Sequence, residues 1–131
     1  MRAVRVRKGA SLLLINSETP LRDALRISLQ QRGHLVYATN GLTDAVTALQ
    51  QTKVDIILLD VHMPGTESQQ LCRTLHQHSR APIIVVSAAD RPEDIARAYS
   101  SGADAYICKP FRLREVEQHI ELTLQRALQP I

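Results

Sequence analysis

Asp60, Ser87 and Lys109 each come directly after a short apolar run of the chain. If these runs are strands of a parallel sheet, their carboxyl ends share one edge, where ligands and chemistry gather in open α/β sheets. The sequence therefore brings a carboxylate, a hydroxyl and an ammonium group towards one another. Taken singly, each has an ordinary structural role, as an Asp that opens a turn, a Ser that caps a helix or a Lys on the rim. Their shared position is the stronger signal.

The elements that must position these side chains alternate between short apolar runs and helical patterns. Strands are predicted at 12–15, 34–39, 56–60, 82–86 and 104–108. Helices are predicted at 20–32, 42–51, 67–78, 91–101 and 113–128, where apolar residues recur at helical spacing. Strands that alternate with helices predict an α/β fold with a parallel sheet covered on both faces.

Length and composition describe one domain with enough apolar side chains for its own core, at 131 residues and 44% hydrophobic. Because no stretch approaches about 20 apolar residues and no apolar block follows the N-terminus, we predict a cytoplasmic protein without a membrane span. Cys72 and Cys108 lack metal-ligand spacing and are too few for a disulfide framework. Packed, reduced thiols are expected.

The formal charge of +3 is concentrated at the N-terminus, where residues 1–10 carry four of the 16 basic residues and no acid. The remainder is nearly neutral, with 12 basic against 13 acidic side chains. We therefore predict a basic, flexible leader at 1–10 and a folded domain at 11–131. With one Phe, no Trp and no basic stripe elsewhere, the domain is not expected to bind nucleic acid directly.

The segments LLDVHMPG, VVSA and SSGADAYICKPF, which follow the helical RDALRISLQQRG, resemble the receiver domain of two-component response regulators (CheY-like family). The resemblance runs from residue 11 to about residue 128 and is specific, because three motifs recur in order at three successive strand ends. It implies a doubly wound, flavodoxin-like (βα)5 fold with strand order 2-1-3-4-5. It also implies a cis peptide bond between Lys109 and Pro110.

The resemblance assigns a role to each matching residue. Asp60 would be the phosphoacceptor, taking a phosphoryl group from a histidine kinase or a phosphotransfer protein. Lys109 would neutralise the phosphoryl oxygens, and Ser87 would donate its hydroxyl to one of them. Tyr106, together with Ser87, would form the conformational switch. The backbone carbonyl of His62 would contact the metal ion, as would the Asp60 carboxylate.

The first strand end departs from the family pattern, in which two acidic residues help to hold Mg²⁺. The matching positions here are Asn16 and Ser17. Asn16 and Ser17 are poorer metal ligands than two carboxylates would be. Without those two negative charges, the electrostatic attraction for a dication is largely lost. Glu18 is one position further on and points differently. We therefore expect Mg²⁺ binding to be weak or absent.

Two functions remain open at this stage. The preferred one is an atypical receiver, a regulatory protein-binding module in which Mg²⁺-dependent phosphorylation of Asp60 is impaired, as Asn16 and Ser17 indicate. The other is an ordinary phosphoacceptor switch, which the complete set of Asp60, Ser87 and Lys109 favours. In either case the only expected chemistry is self-catalysed phosphoryl transfer and hydrolysis at Asp60, and no cofactor-binding glycine loop indicates another enzyme.

Partners are expected to be a kinase or phosphotransfer protein upstream and an effector domain or protein downstream. Receivers of this pattern often pair through helix four, strand five and helix five by opposite charges. His119 stands in a region of the last helix where transcription-factor receivers commonly carry basic residues, and it is mostly neutral at pH 7. A monomer or weak homodimer is predicted.

Overall fold

The structure, a computed structural model, describes residues 9–61 and 66–128, without the side chains of residues 66–68 and 128. Within these residues five strands alternate with five helices. The strands are β1 (Ser11–Ile15), β2 (Leu35–Thr39), β3 (Ile56–Val61), β4 (Ile83–Ser87) and β5 (Ala105–Cys108). The helices are α1 (Thr19–Gln31), α2 (Leu42–Gln51), α3 (Thr66–His78), α4 (Pro92–Ser100) and α5 (Leu113–Leu128).

The strands form one parallel sheet in the order β2-β1-β3-β4-β5. This confirms the predicted flavodoxin-like topology. Three predicted strands begin one residue too early, at His34, Pro82 and Asp104, which directly precede β2, β4 and β5. The Nδ1 atom of His34 accepts a hydrogen bond from the Ala10 amide at 3.0 Å, and the Asp104 carboxylate accepts one from the Ile83 amide at 2.9 Å.

The central strand β3 is buried along its whole length, so apolar layers are needed on both sides of the sheet. Ile56 and Leu58 pack in one cluster and Ile57 and Leu59 in the other, as the two-residue period of a strand requires. The first cluster includes α1 and α5 through Leu25, Leu29, Val116, Ile120 and Leu124. The second includes α2, α3 and α4 through Ala45, Cys72, Leu75 and Ala98.

The N-terminal boundary carries contacts inside the predicted leader. Residues 1–8 lie outside the described part of the chain. Ala10 is buried in the first cluster, and its carbonyl accepts a hydrogen bond from the Leu35 amide at 2.9 Å.

Both cysteines are unpaired, and burial, assisted by the negative charge of Asp104, raises the pKa of the Cys72 thiol to about 11. No helix among the described residues has both the length and the apolar character that a membrane crossing requires.

Gly102 ends α4 in the left-handed region, with φ at 114°. The Ala103 amide reaches back to the Ala98 carbonyl at 3.0 Å, which closes the helix end. A Cβ atom at Gly102 would lie 2.5 Å from the Cδ2 atom of His76, whose ring nitrogen Nε2 donates to the Gly102 carbonyl at 2.8 Å. Backbone conformation and space therefore both require glycine here.

We predict that Gly102→Ala lowers the free energy of unfolding by about 1–3 kcal/mol, because it forces a left-handed alanine against the His76 ring. Urea denaturation measures the change. Gly41→Ala is the matched control, since nothing lies within 4 Å of its added Cβ atom, and it should change stability by less than about 1 kcal/mol. Equal losses in the two variants would contradict this account.

Candidate functional site

The site lies at the carboxyl edge of the sheet, and the alternation of side chains along each strand decides which residues meet. Residues two apart along a strand face the same side of the sheet, so in β3 the Asp60 side chain lies on the side of Ile56 and Leu58, which face α1 and α5. By the same count Asn16 continues the face of Leu12 and Leu14, and Lys109 continues that of Ala105 and Ile107. Asn16, Asp60 and Lys109 therefore converge on the α1 and α5 side of the sheet.

Asp60 and Lys109 form a close ion pair. The Nζ atom of Lys109 lies 2.7 Å from the Oδ1 atom of Asp60. Only 1% of the Asp60 side chain is exposed, against 19% of the Lys109 side chain, so the ammonium group closes the outer side of the carboxylate. The Lys109 amide donates to the Ser87 carbonyl at 2.8 Å, which extends the pairing of β4 and β5 by one residue. The Lys109–Pro110 peptide is cis, as the resemblance implied.

Asn16 holds the other oxygen of the same carboxylate. Its Nδ2 atom donates to the Oδ2 atom of Asp60 at 2.8 Å, and its Oδ1 atom accepts from the Glu18 amide at 2.8 Å. The backbone amide can only donate, so the amide oxygen must face Glu18 and the NH₂ group must face Asp60. Asn16 is fully buried, and its own amide donates to the Thr39 carbonyl at 3.0 Å.

Glu18 and Ser17 lie at the rim. The Oε1 atom of Glu18 is 4.0 Å from the Nζ atom of Lys109, and 54% of its side chain is exposed. Ser17 is also exposed. Glu18 immediately precedes α1 and does face the lysine, although it lies on the outer side of the ammonium group. An acid thus remains close to Lys109, in partly wet surroundings.

Ser87 and Tyr106 belong to the opposite face of the sheet and meet at Ala89. The Ser87 hydroxyl oxygen accepts from the Ala89 amide at 3.0 Å, and the Tyr106 hydroxyl donates to the Ala89 carbonyl at 2.6 Å. Ser87 is buried and Tyr106 is partly buried against the second cluster. The two side chains together fix the start of the connection from β4 to α4.

Comparison with known proteins agrees with this fold. A sequence profile of the response regulator receiver domain matches residues 12–121. The chain belongs to this family. Receivers are regulatory domains of two-component response regulators that work with histidine kinases and effectors.

Solved structures of receivers superpose along most of their length. A two-component response regulator from Clostridium difficile has a TM-score of 0.83 at 21% identity, covering 91% of this chain and 98% of that one, which shows the fold. A response regulator from Thermotoga maritima has a TM-score of 0.79 at 25% identity, covering 88% and 97%. The signal receiver domain of a histidine kinase from Syntrophus aciditrophicus has a TM-score of 0.78 at 25% identity, covering 93% and 95%.

Receivers generally bind Mg²⁺ in an acidic pocket, whereas the described residues of this site bring one buried carboxylate, Asp60, together with an amide group and an ammonium group. The two oxygens of Asp60 contact Lys109 and the NH₂ group of Asn16, and the amide oxygen of Asn16 faces the Glu18 amide. No group of three His, Cys, Asp or Glu side chains that could hold a metal ion occurs among the described residues. His62, whose carbonyl was the other expected contact, lies outside them.

The structure thus brings together Asn16, Asp60 and Lys109, and places Ser87 and Tyr106 side by side on the reverse face. Sequence reasoning treated Asn16 as a lost metal ligand and missed it as a hydrogen-bond donor to Asp60. The signal was available, because Asn16 has the strand parity of Leu14 and therefore faces the same side as Asp60. The peptide of Ala89 carries no sequence signal, since its role is entirely in the backbone.

We predict that Lys109→Met destabilises this receiver by about 1–3 kcal/mol. Loss of one partner leaves a buried carboxylate uncompensated, and the partial exposure of Lys109 keeps the loss below the roughly 3–5 kcal/mol of a fully buried pair. Urea denaturation measures it. The double variant Asp60→Asn, Lys109→Met should regain most of the loss, whereas the exposed Lys53→Met should change little. A Lys109→Met variant as stable as the parent would show that the pair contributes nothing.

We also predict that the Tyr106 phenol titrates above the ordinary tyrosine pKa. Burial is the largest cause of the raised pKa, and the hydrogen bond from Ser87 opposes it. Near-ultraviolet absorbance, taken as the difference between the parent and Tyr106→Phe, isolates this group. Ser87→Ala should raise the pKa further because it removes the opposing hydrogen bond.

The direction of this pKa shift determines how the stability of the folded protein changes with pH. In the unfolded chain Tyr106 ionises at its ordinary pKa of about 10, which is below its pKa in the folded protein. The stability that the neutral phenol contributes is therefore complete below pH about 10 and is lost as the pH rises through the pKa of the folded protein. A transition at or below pH 10 in the difference titration would contradict the buried, bonded phenol.

Proposed function

We propose that this chain is an atypical receiver in which Mg²⁺-dependent phosphorylation of Asp60 is impaired and signalling relies on contact with other proteins. The observation that supports the proposal is the hydrogen bond of 2.8 Å from the Asn16 amide to the Asp60 carboxylate. Asn16 stands where the family pattern has an acidic residue. A neutral donor to the phosphoacceptor thus replaces a negative ligand for the metal ion.

The chemistry of phosphoryl transfer makes this substitution costly for the reaction. Transfer depends mainly on positioning and on neutralising the charge of the phosphoryl oxygens. At this site Lys109 is the near cation, and it is already 2.7 Å from Asp60 and 4.0 Å from Glu18. The hydrogen bond from Asn16 and the contact with Lys109 also reduce the nucleophilicity of the Asp60 carboxylate. We therefore expect attack by Asp60 to be slow.

The second candidate is an ordinary phosphoacceptor switch, and a specific observation favours it. Lys109 contacts Asp60, and Ser87 and Tyr106 hold the Ala89 peptide on the reverse face. If Asp60 accepts a phosphoryl group from a histidine kinase or phosphotransfer protein, those residues are in place to respond. The two candidates differ in their requirement for metal and phosphodonor.

The wider setting follows from membership of the family. A cytoplasmic location, an upstream kinase or phosphotransfer protein and a downstream effector domain or protein all belong to this proposal. So do a monomeric or weakly dimeric state, a basic leader at 1–10 and the absence of direct contact with nucleic acid. The neutral balance of charge beyond residue 10 supports the last point.

The deciding experiment titrates Mg²⁺ into the protein and then adds acetyl phosphate, with intact mass as the readout of phosphorylation. We predict weak Mg²⁺ binding and little gain of one phosphoryl mass in the parent. The double variant Asn16→Asp, Ser17→Asp should bind Mg²⁺ at least about tenfold more tightly, since it restores two carboxylates at the strand end. It should also gain the phosphoryl mass faster.

The matched control is Gln50→Glu, Gln51→Glu, which adds two acids at exposed positions at the end of α2. It should behave like the parent, and adding Asp60→Asn to the Asn16 and Ser17 variant should abolish the mass gain. If the parent and the Asn16 and Ser17 variant bind Mg²⁺ equally and are phosphorylated at equal rates, the chain is an ordinary phosphoacceptor and the proposal fails.

A further inference from the structure

A cavity of about 270 Å³ lies at the amino edge of the sheet, opposite Asp60. It is lined by His76, Arg80, Pro82, Asp104, Thr123, Arg126 and Ala127. These residues come from the end of α3, the entries to β4 and β5 and the end of α5. The cavity therefore spans the two helical layers where the sheet between them stops.

The charge of this cavity is positive. Arg80 and Arg126 are exposed, and neither makes an ion pair or hydrogen bond with the described residues. The single acid, Asp104, is engaged, because its carboxylate accepts the Ile83 amide at 2.9 Å. The Nε2 atom of His76 lies 2.8 Å from the Gly102 carbonyl, so this ring nitrogen carries the proton. Two guanidinium groups without partners among the described residues thus share the cavity with one carboxylate, which leaves a formal charge of +1.

A buried hydroxyl group on the same wall lacks a partner. Thr123 is 3% exposed, and its Oγ1 atom makes no hydrogen bond with the described residues. A threonine within a helix ordinarily bonds the carbonyl one turn earlier or is solvated. A buried hydroxyl group without either carries a free-energy penalty, which rotation of the Thr123 side chain towards an acceptor bound in the cavity would remove.

We propose that this cavity binds a small oxyanion of the phosphate class, free or as a phosphate monoester. Guanidinium groups donate in pairs to tetrahedral oxyanions, and a hydroxyl group can donate to a further oxygen. The site is separate from Asp60 and does not depend on the proposed function. Its ligand would connect the ends of α3 and α5, which belong to different layers.

The test is a titration of the ¹⁵N-labelled protein with inorganic phosphate at pH 7, followed by amide chemical shifts, with sodium chloride at matched ionic strength as reference. The expected result is saturable shifts centred on His76, Asp104 and Thr123. Glycerol phosphate should bind at the same residues if monoesters are accepted, and acetate should bind more weakly. Phosphate held near Lys109 instead would shift a different set of amides at the other edge.

Variants assign the donors. Arg80→Gln, Arg126→Gln should raise the Kd for phosphate at least about tenfold, because two charge-assisted donors are lost. The matched control, Arg73→Gln, Arg114→Gln, removes the same charge from exposed positions on α3 and α5 outside the cavity. It should leave the Kd within about twofold of the parent. Thr123→Val should weaken binding several-fold, whereas Thr123→Ser, which keeps the hydroxyl group, should not.

Four results would overturn the proposal or one part of it. Shifts that fail to saturate, or that the chloride reference reproduces, would show only general ionic attraction. Equal Kd values for the two double-arginine variants would show that the cavity does not hold the anion. Acetate binding as tightly as phosphate would remove the assignment to the phosphate class, and an unchanged Kd in Thr123→Val would remove the hydroxyl group from the site.

Discussion

Burial of the central strand on both faces is the constraint on which the rest of the structure depends. Every residue of β3 is buried, so its backbone must pair on both sides and its side chains need an apolar layer above and below. The helices that connect successive parallel strands form both layers. The polar residues that close the strands are then confined to one edge. The site is a consequence of this arrangement.

Because Asp60 is buried at that edge, its hydrogen-bond and ion-pair partners determine whether its carboxylate can stay charged. A carboxylate with a side chain that is 1% exposed is costly to keep charged unless cations or donors contact it. In this receiver the Lys109 ammonium group and the Asn16 amide do so, each on a different oxygen. The positive charge of Lys109 and the amide dipole of Asn16 thus balance the negative charge of Asp60. The carboxylate is therefore stabilised by groups of the protein itself.

Sequence patterns predicted most of the architecture, because strand and helix periods report burial directly. The starts of β2, β4 and β5 were predicted one residue too early, at His34, Pro82 and Asp104. The contacts of the His34 and Asp104 side chains with the distant amides of Ala10 and Ile83 form only in the folded chain, so the sequence does not show them. Asp60 and Lys109 were predicted to meet from their strand positions alone, and they do. The donor role of Asn16 was missed because it depends on the Glu18 amide, which fixes the orientation of the side chain only in the folded chain.

A backbone contact between the end of β4 and the residue after β5 links the two faces of the carboxyl edge. The Lys109 amide donates to the Ser87 carbonyl at 2.8 Å, while the Ser87 hydroxyl oxygen accepts from the Ala89 amide that Tyr106 also fixes through its carbonyl. A displacement of Lys109 towards a new charge at Asp60 therefore acts on the residue that holds the connection to α4. The same contact works in reverse, since a partner that moves Tyr106 would strain Ser87 and, through it, Lys109. We expect coupling between the two faces to run through this contact, whether or not phosphorylation is the event that uses it.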